Sequence, residues 1–159
     1  PGEKIGIFDR QGAISGKIES NSYYGVFGVT DRRLENSIFS DPLPVAYAHQ
    51  TRKGSAQILT VINGSQIECF DVMIEKVYPF RHNGKGMVLR VTDERLLAVT
   101  GGIIQGMSGS PIIQEGRIIG AVTHVFLNNP EKGYGIFMDT ILEQMNLLNN
   151  RVFPRQVPQ

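Results

Sequence analysis

Gly101-Gly102-Ile103-Ile104-Gln105-Gly106-Met107-Ser108-Gly109-Ser110-Pro111-Ile112-Ile113 leads, across Glu115-Gly116, into Arg117-Ile118-Ile119-Gly120-Ala121-Val122-Thr123-His124. An apolar run, a Glu-Gly pair and a second apolar run read as a β-hairpin, because such a pair takes the positive φ values that a tight turn between twisted strands requires. Glycines stand two before and one after Ser108. They permit a tight turn that projects the hydroxyl, with the N–H groups of Gly106 and Ser108 placed to converge on a developing oxyanion. Glycine, serine and proline also fill ordinary loops for local backbone reasons, so the turn gains meaning only together with the hairpin that follows it.

Working outward, eighteen glycines and many short β-rich runs argue for an all-β barrel or sandwich. Candidate strands are 5–8, 16–20, 23–29, 44–48, 56–62, 67–78, 86–91, 110–113, 117–126 and 135–137. Asn63-Gly64 is a second hairpin signal between 58–62 and 67–70. Two helices interrupt the pattern. A short one over 93–99 is capped by Thr92 or Asp93 and closes near Gly101-Gly102, and a longer one covers 139–148. One domain over 1–152, with a flexible tail over 153–159, accounts for the chain. At 159 residues it buries roughly 70% of the unfolded chain's surface, enough for a core without disulfide or metal.

Sixteen basic and fifteen acidic residues leave a formal charge of +1 with no run of like sign, which argues against a nucleic-acid partner. Cys69, the single cysteine, cannot form an internal disulfide and reads as a small buried hydrophobe. No Cys/His cluster has zinc-ligand spacing, so neither metal nor cofactor is expected. No stretch is long and apolar enough for a membrane span, and Pro1-Gly2-Glu3-Lys4 is not a signal peptide. A start without methionine reads as a processed or excised piece.

The serine turn, apolar strand, turn and Gly-Ala-Val-Thr-His strand resemble the Gly-Asp-Ser-Gly-Gly-Pro region of chymotrypsin-like enzymes and the pocket-wall strand that follows it. By that resemblance Ser108 is the nucleophile, the N–H groups of Gly106 and Ser108 form the oxyanion hole, and Thr123 and His124 line the substrate pocket. A closer resemblance covers nearly the whole chain. Pro1 to Lys4, Gly25-Val26-Phe27-Gly28, Leu43-Pro44-Val45-Ala46, 56–62, 85–89, Thr92-Asp93-Glu94-Arg95-Leu96-Leu97, 106–114, 120–126 and Gly133-Tyr134-Gly135 are similar, in that order, to the stage IV sporulation protein B peptidases of spore-forming bacteria.

That resemblance implies a mainly β, chymotrypsin-like barrel with a short helix before the nucleophile loop and a C-terminal helix. It implies a serine endopeptidase that follows a membrane anchor and a PDZ domain and acts outside the cytoplasm, between forespore and mother-cell membranes. There it cuts itself and a membrane-embedded signalling regulator. The family's nucleophile maps to Ser108 and its triad acid to Asp93, whereas its histidine, in Gly-Ala-Leu-Gly-His, precedes the block matching Pro1 to Lys4. His49 and His82 read as solvated loop histidines. Asp93 lies close before Ser108 and also suits a helix cap. The alternative to an enzyme is a peptide-binding or regulatory barrel that does not cut, since the general base lies outside this chain.

Overall fold

The computed structural model describes residues 16–31, 36–81 and 83–152. The expected strand over 5–8, His82 and the tail over 153–159 lie outside them. Ten elements follow in order: β1 (Gly16–Ser22), β2 (Gly25–Thr30), β3 (Gly54–Thr60), β4 (Glu68–Val77), β5 (Met87–Val91), α1 (Glu94–Thr100), β6 (Pro111–Gln114), β7 (Arg117–Phe126), β8 (Asn129–Phe137) and α2 (Met138–Val152). β1 and β2 form a separate two-stranded sheet, and the other six strands close into a barrel in the order β3-β4-β5-β8-β7-β6. Every pairing in it is antiparallel.

Alternation along the strands fills the barrel, since successive side chains of a strand point to opposite faces. Ile58, Phe70, Val72, Ile74, Met87, Leu89, Val91, Ile112, Ile119 and Phe137 meet inside it, each nearly or wholly buried. Closure rests on a short contact: Gln57 pairs with Ile113 and Ile58 with Ile112, joining β3 to β6. Buried Gln114 braces that seam, accepting from the Arg52 N–H at 3.0 Å and donating to the carbonyls of Arg52 and Ser55.

The Glu115-Gly116 turn is as expected. Gln114 pairs with Arg117, and both intervening residues have positive φ, 50° and 71°. Asn63-Gly64 does not make a two-residue hairpin. Thr60 pairs with Glu68, so the connection is a longer loop in which Gly64 has φ 56° and the Gln66 N–H reaches Asn63 O. Nor does 44–48 form a strand. Pro44 has no N–H to offer a ladder, and the segment makes one parallel bridge, Val45 with Ile118. It then turns, with the N–H groups of Gln50 and Thr51 on Tyr47 O, while Asp139 of α2 accepts from the Ala48 N–H. β8 begins at Asn129, well before the expected 135, because its first half is polar and pairs outside the apolar pattern.

On the outer face, Arg90 of β5 lies opposite Lys132 of β8. Two cations directly across a ladder repel. Glu75 of β4 accepts from both, at 2.8 Å from Arg90 Nε and 2.7 Å from Lys132 Nζ. These two hydrogen bonds hold the Glu75 carboxyl below the ordinary carboxylate range. A carboxyl with a depressed pKa contributes stability above its unfolded-state pKa and loses it as pH falls through the folded-state value. The triad is partly exposed, so its contribution is about 1 kcal/mol or less. Glu75→Gln is expected to lower the melting temperature at neutral pH by a few degrees and to have progressively less effect on the acid side of pH 4, as thermal melts across pH would show.

Candidate active site

Ser108 sits at the crest of two consecutive turns. The Met107 N–H reaches Ile104 O at 3.2 Å, and the Ser110 N–H reaches Met107 O at 3.0 Å. The third residue of each turn is a glycine, Gly106 with φ 94° and Gly109 with φ 91°. That conformation is demanded at this position of a type II turn and disfavours any side chain. The apolar residue shared by the two turns, Met107, is 0% exposed and anchors the loop in the barrel core. Ser108 itself is exposed. Burial of one neighbour and freedom of the next thus present the hydroxyl.

β7 holds the loop from the other side. The Gly109 N–H donates to Val122 O at 2.8 Å and the Val122 N–H to Ser110 O at 2.9 Å. β6 pairs with β7 only as far as Ala121, and the register of β7 against β8 shifts between Val122 and His124. Beyond that shift the Thr123 carbonyl accepts from Ser108 Oγ at 2.9 Å. The N–H of Ser108 donates to no acceptor among the described residues.

Thr123, expected with His124 to line the substrate pocket, meets the nucleophile through its carbonyl, and His124 follows it on β7. The single hydroxyl proton of Thr123 is shared between Gly84 O and Tyr134 O, tying the β4–β5 loop and β8 to this part of β7. His124 is exposed, and its ring stands so near the loop that a Cβ on Gly84 would lie 3.5 Å from Cε1. Phe126 packs on Tyr134 at 4.6 Å between ring centroids, and Lys85 Nζ lies 5.2 Å from the centre of the Tyr134 ring. Gly84, Lys85 and Tyr134 were invisible as site residues in the sequence. The first two fall in a polar loop and the third in Gly133-Tyr134-Gly135, which bears no reactive group, and it is the closed barrel that brings Gly84 and Tyr134 against Thr123, with Lys85 over the Tyr134 ring.

Of the described histidines, neither His49 nor His124 bonds to Ser108 Oγ. His49 is exposed on the Tyr47–Gln50 turn and stacks with Tyr47, ring centroids 6.2 Å apart. No imidazole among the described residues accepts from Ser108 Oγ, whose hydrogen bond goes to the Thr123 carbonyl.

Asp93 caps α1. Its Oδ1 accepts from the N–H groups of Arg95 and Leu96 at 3.0 and 3.1 Å, and its Oδ2 accepts weakly from the Asp71 N–H at 3.4 Å. Gly101, with φ 70°, ends the helix. Cys69 is half-buried, less sequestered than its apolar surroundings suggested, because β4 turns it toward the polar surface near Asp71 and Asp93. Burial first, then those two carboxylates, push its thiol pKa up against a smaller opposing pull from Arg95. A thiol so placed is a poor nucleophile.

A groove of about 590 Å³ lies elsewhere, on the outer face of β3, β6 and β7. Leu59, Ile113 and Ile118 form its floor and Phe39, Pro42 and Leu43 its wall. Only Pro111, on its rim, connects it to the nucleophile loop.

A closed antiparallel barrel that carries a serine on a double turn, clamped against the following hairpin, defines the chymotrypsin-like class of serine protease fold. The SpoIVB peptidase S55 family profile matches residues 1–142, and the chain belongs to that family. Among solved structures, the active form of the Rv3671c protease from M. tuberculosis is similar at a TM-score of 0.58 and 14% identity, over 87% of this chain and 60% of that one. An inactive form of Rv3671c gives 0.56 and 14%, over 90% and 67%. A mutant of human heparin binding protein (CAP37) gives 0.54 and 15%, over 91% and 69%. The chain therefore spans 60 to 69% of the length of these structures. Comparison with curated protein sequences found no match.

The cap and a triad role for Asp93 differ in what one substitution does. Asp93→Asn keeps an oxygen for the two helix N–H groups, so stability is expected to change little, whereas Asp93→Ala costs about 1 kcal/mol. If capping is the whole role, turnover by the full-length Asp93→Asn protein stays within about threefold of the unmodified protein. A drop of several orders of magnitude would instead place Asp93 in the triad.

Proposed function

We propose that this chain is the nucleophile-bearing part of a serine endopeptidase and that Ser108 is the acylated residue. One observation carries the reading: Ser108 is held on a double-glycine turn, exposed, at the point where β7 loses its β6 partner. A peptide added along the free edge of β7 past Thr123 gains main-chain hydrogen bonds and brings a carbonyl to the serine. Ser108 Oγ then attacks the carbonyl carbon, and the N–H groups of Gly106 and Ser108 take up the charge on its oxygen. The hydroxyl proton passes to a base and on to the departing amine as the C–N bond breaks. Water, deprotonated by the same base, releases the acyl group and restores the serine.

The base is a histidine outside these 159 residues, as the family resemblance implies. The Ser108 hydroxyl bonded to the Thr123 carbonyl is consistent with this, since no imidazole among the described residues accepts its proton. Thr123 and His124 line the substrate side, and Asp93 acts through the α1 cap. Family membership further supports an extracytoplasmic, membrane-anchored enzyme that cuts itself and a membrane-embedded regulator in sporulation. The second reading, a barrel that holds peptides without cutting, is favoured by the same hydroxyl orientation.

A fluorophosphonate probe separates the two. It should label the full-length protein at Ser108, leave the 159-residue chain unlabelled and leave full-length Ser108→Ala unlabelled. Self-cleavage should vanish in Ser108→Ala and persist in Ser110→Ala, since Ser110 is buried beneath the turn with its N–H and C=O both bonded to neighbouring backbone. Equal labelling of the short and full-length chains would show that the base is already present, with His124 the first suspect. No labelling of either would leave the binding reading.

A further inference from the structure

We propose that this peptidase cleaves after a small residue, and that Ile103 and Val125 set that preference by filling the space where a larger side chain would go. The proposal rests on the peptidase reading above and adds its substrate class.

The nucleophile loop is clamped to the β7–β8 hairpin at two places. Near Ser108 the Gly109 N–H bonds Val122 O, and at the loop's start the Ile103 N–H bonds Pro130 O at 2.7 Å. Between these clamps lies the mouth of the barrel, bounded by the loop, by β7 past Thr123 and by β8. An acyl-side strand on the β7 edge, with its carbonyl at Ser108 Oγ, has its last side chain beside this mouth.

The mouth is occupied. Ile103 is 2% exposed, and its Cδ1 reaches so far across that a Cβ on Gly133 would be 2.6 Å from it. Gly102 is equally tight, since a Cβ there would stand 2.3 Å from Pro130 O. Drawing the loop back from β8 to make room would break the bond from the Ile103 N–H to Pro130 O. From the β7 side, Val125 pairs with Gly133 and packs on the same core cluster that includes Ile103. Both plugs are β-branched and stiff, so neither swings aside cheaply. The groove of about 590 Å³ does not compensate, because it opens on the outer face of the barrel.

The test uses full-length protein whose Ser108 labels with the fluorophosphonate probe, and peptides that differ only in the residue before the scissile bond: Gly, Ala, Ser, Leu, Phe or Arg. The kcat/KM values for Gly, Ala and Ser are expected to exceed those for Leu, Phe and Arg by at least about tenfold, the discrimination a filled apolar site gives. In Ile103→Ala and separately in Val125→Ala, the Phe-to-Ala ratio of kcat/KM should rise about tenfold or more. A ratio is insensitive to the fraction of folded enzyme, and Val125, being half-buried, is the milder change. Labelling together with a wild-type preference for Leu, Phe or Arg would overturn the small-residue proposal and leave the peptidase reading standing. Ratios unmoved in both variants would remove Ile103 and Val125 as its cause. Absence of Ser108 labelling would overturn the peptidase reading and the proposal with it.

Discussion

The four-residue strand β6 is the constraint on which the site depends. Its pairing with β3 closes the barrel, and its pairing with β7 fixes the direction in which the chain leaves the nucleophile loop. Because β6 is so short, the loop before it stays bound to β7 through Gly109 and Ser110, while the edge of β7 beyond is left open. A longer β6 would cover that edge, and a detached one would release the serine. The same shortness creates both the anchor and the access.

Rigidity is concentrated where chemistry would need it. Met107 ties the crest of the loop to the core, Ile103 ties its start to β8, and Thr123 links β7 to the β4–β5 loop. Each link is a packed side chain or a hydrogen bond at least partly withdrawn from solvent, the kind of support that preorganises a site. Charges are arranged differently. Glu75, Arg90 and Lys132 form a partly exposed group on the outer face of the barrel, where they relieve repulsion between β5 and β8.

Asp93 illustrates how one residue serves two readings. As a cap it joins α1 to β4, because the carboxylate accepts from the first turn of the helix and from Asp71. The family resemblance assigns the same residue to the triad. A side chain that positions a helix can affect the nucleophile loop at the far end of that helix without touching substrate, since Gly101 hands the chain directly into 102–110.

Much of this protein was legible from local rules. The Glu115-Gly116 turn, the helix cap at Asp93 and the glycines around Ser108 depend on backbone preferences of a few adjacent residues, so their types alone dictate the geometry. Periodicity located most barrel strands, because each must alternate to bury one face. Two local signals were overruled. Asn63-Gly64 yielded to the register of Thr60 with Glu68, and 44–48 yielded to a single bridge on Ile118, since pairing partners distant in the chain decide register and strand length. The closure of β3 on β6, the open edge of β7 and the meeting of Ile103, Val125 and Gly133 came from tertiary structure alone. They join segments far apart in sequence, and no local propensity encodes which distant side chain will fill a given space.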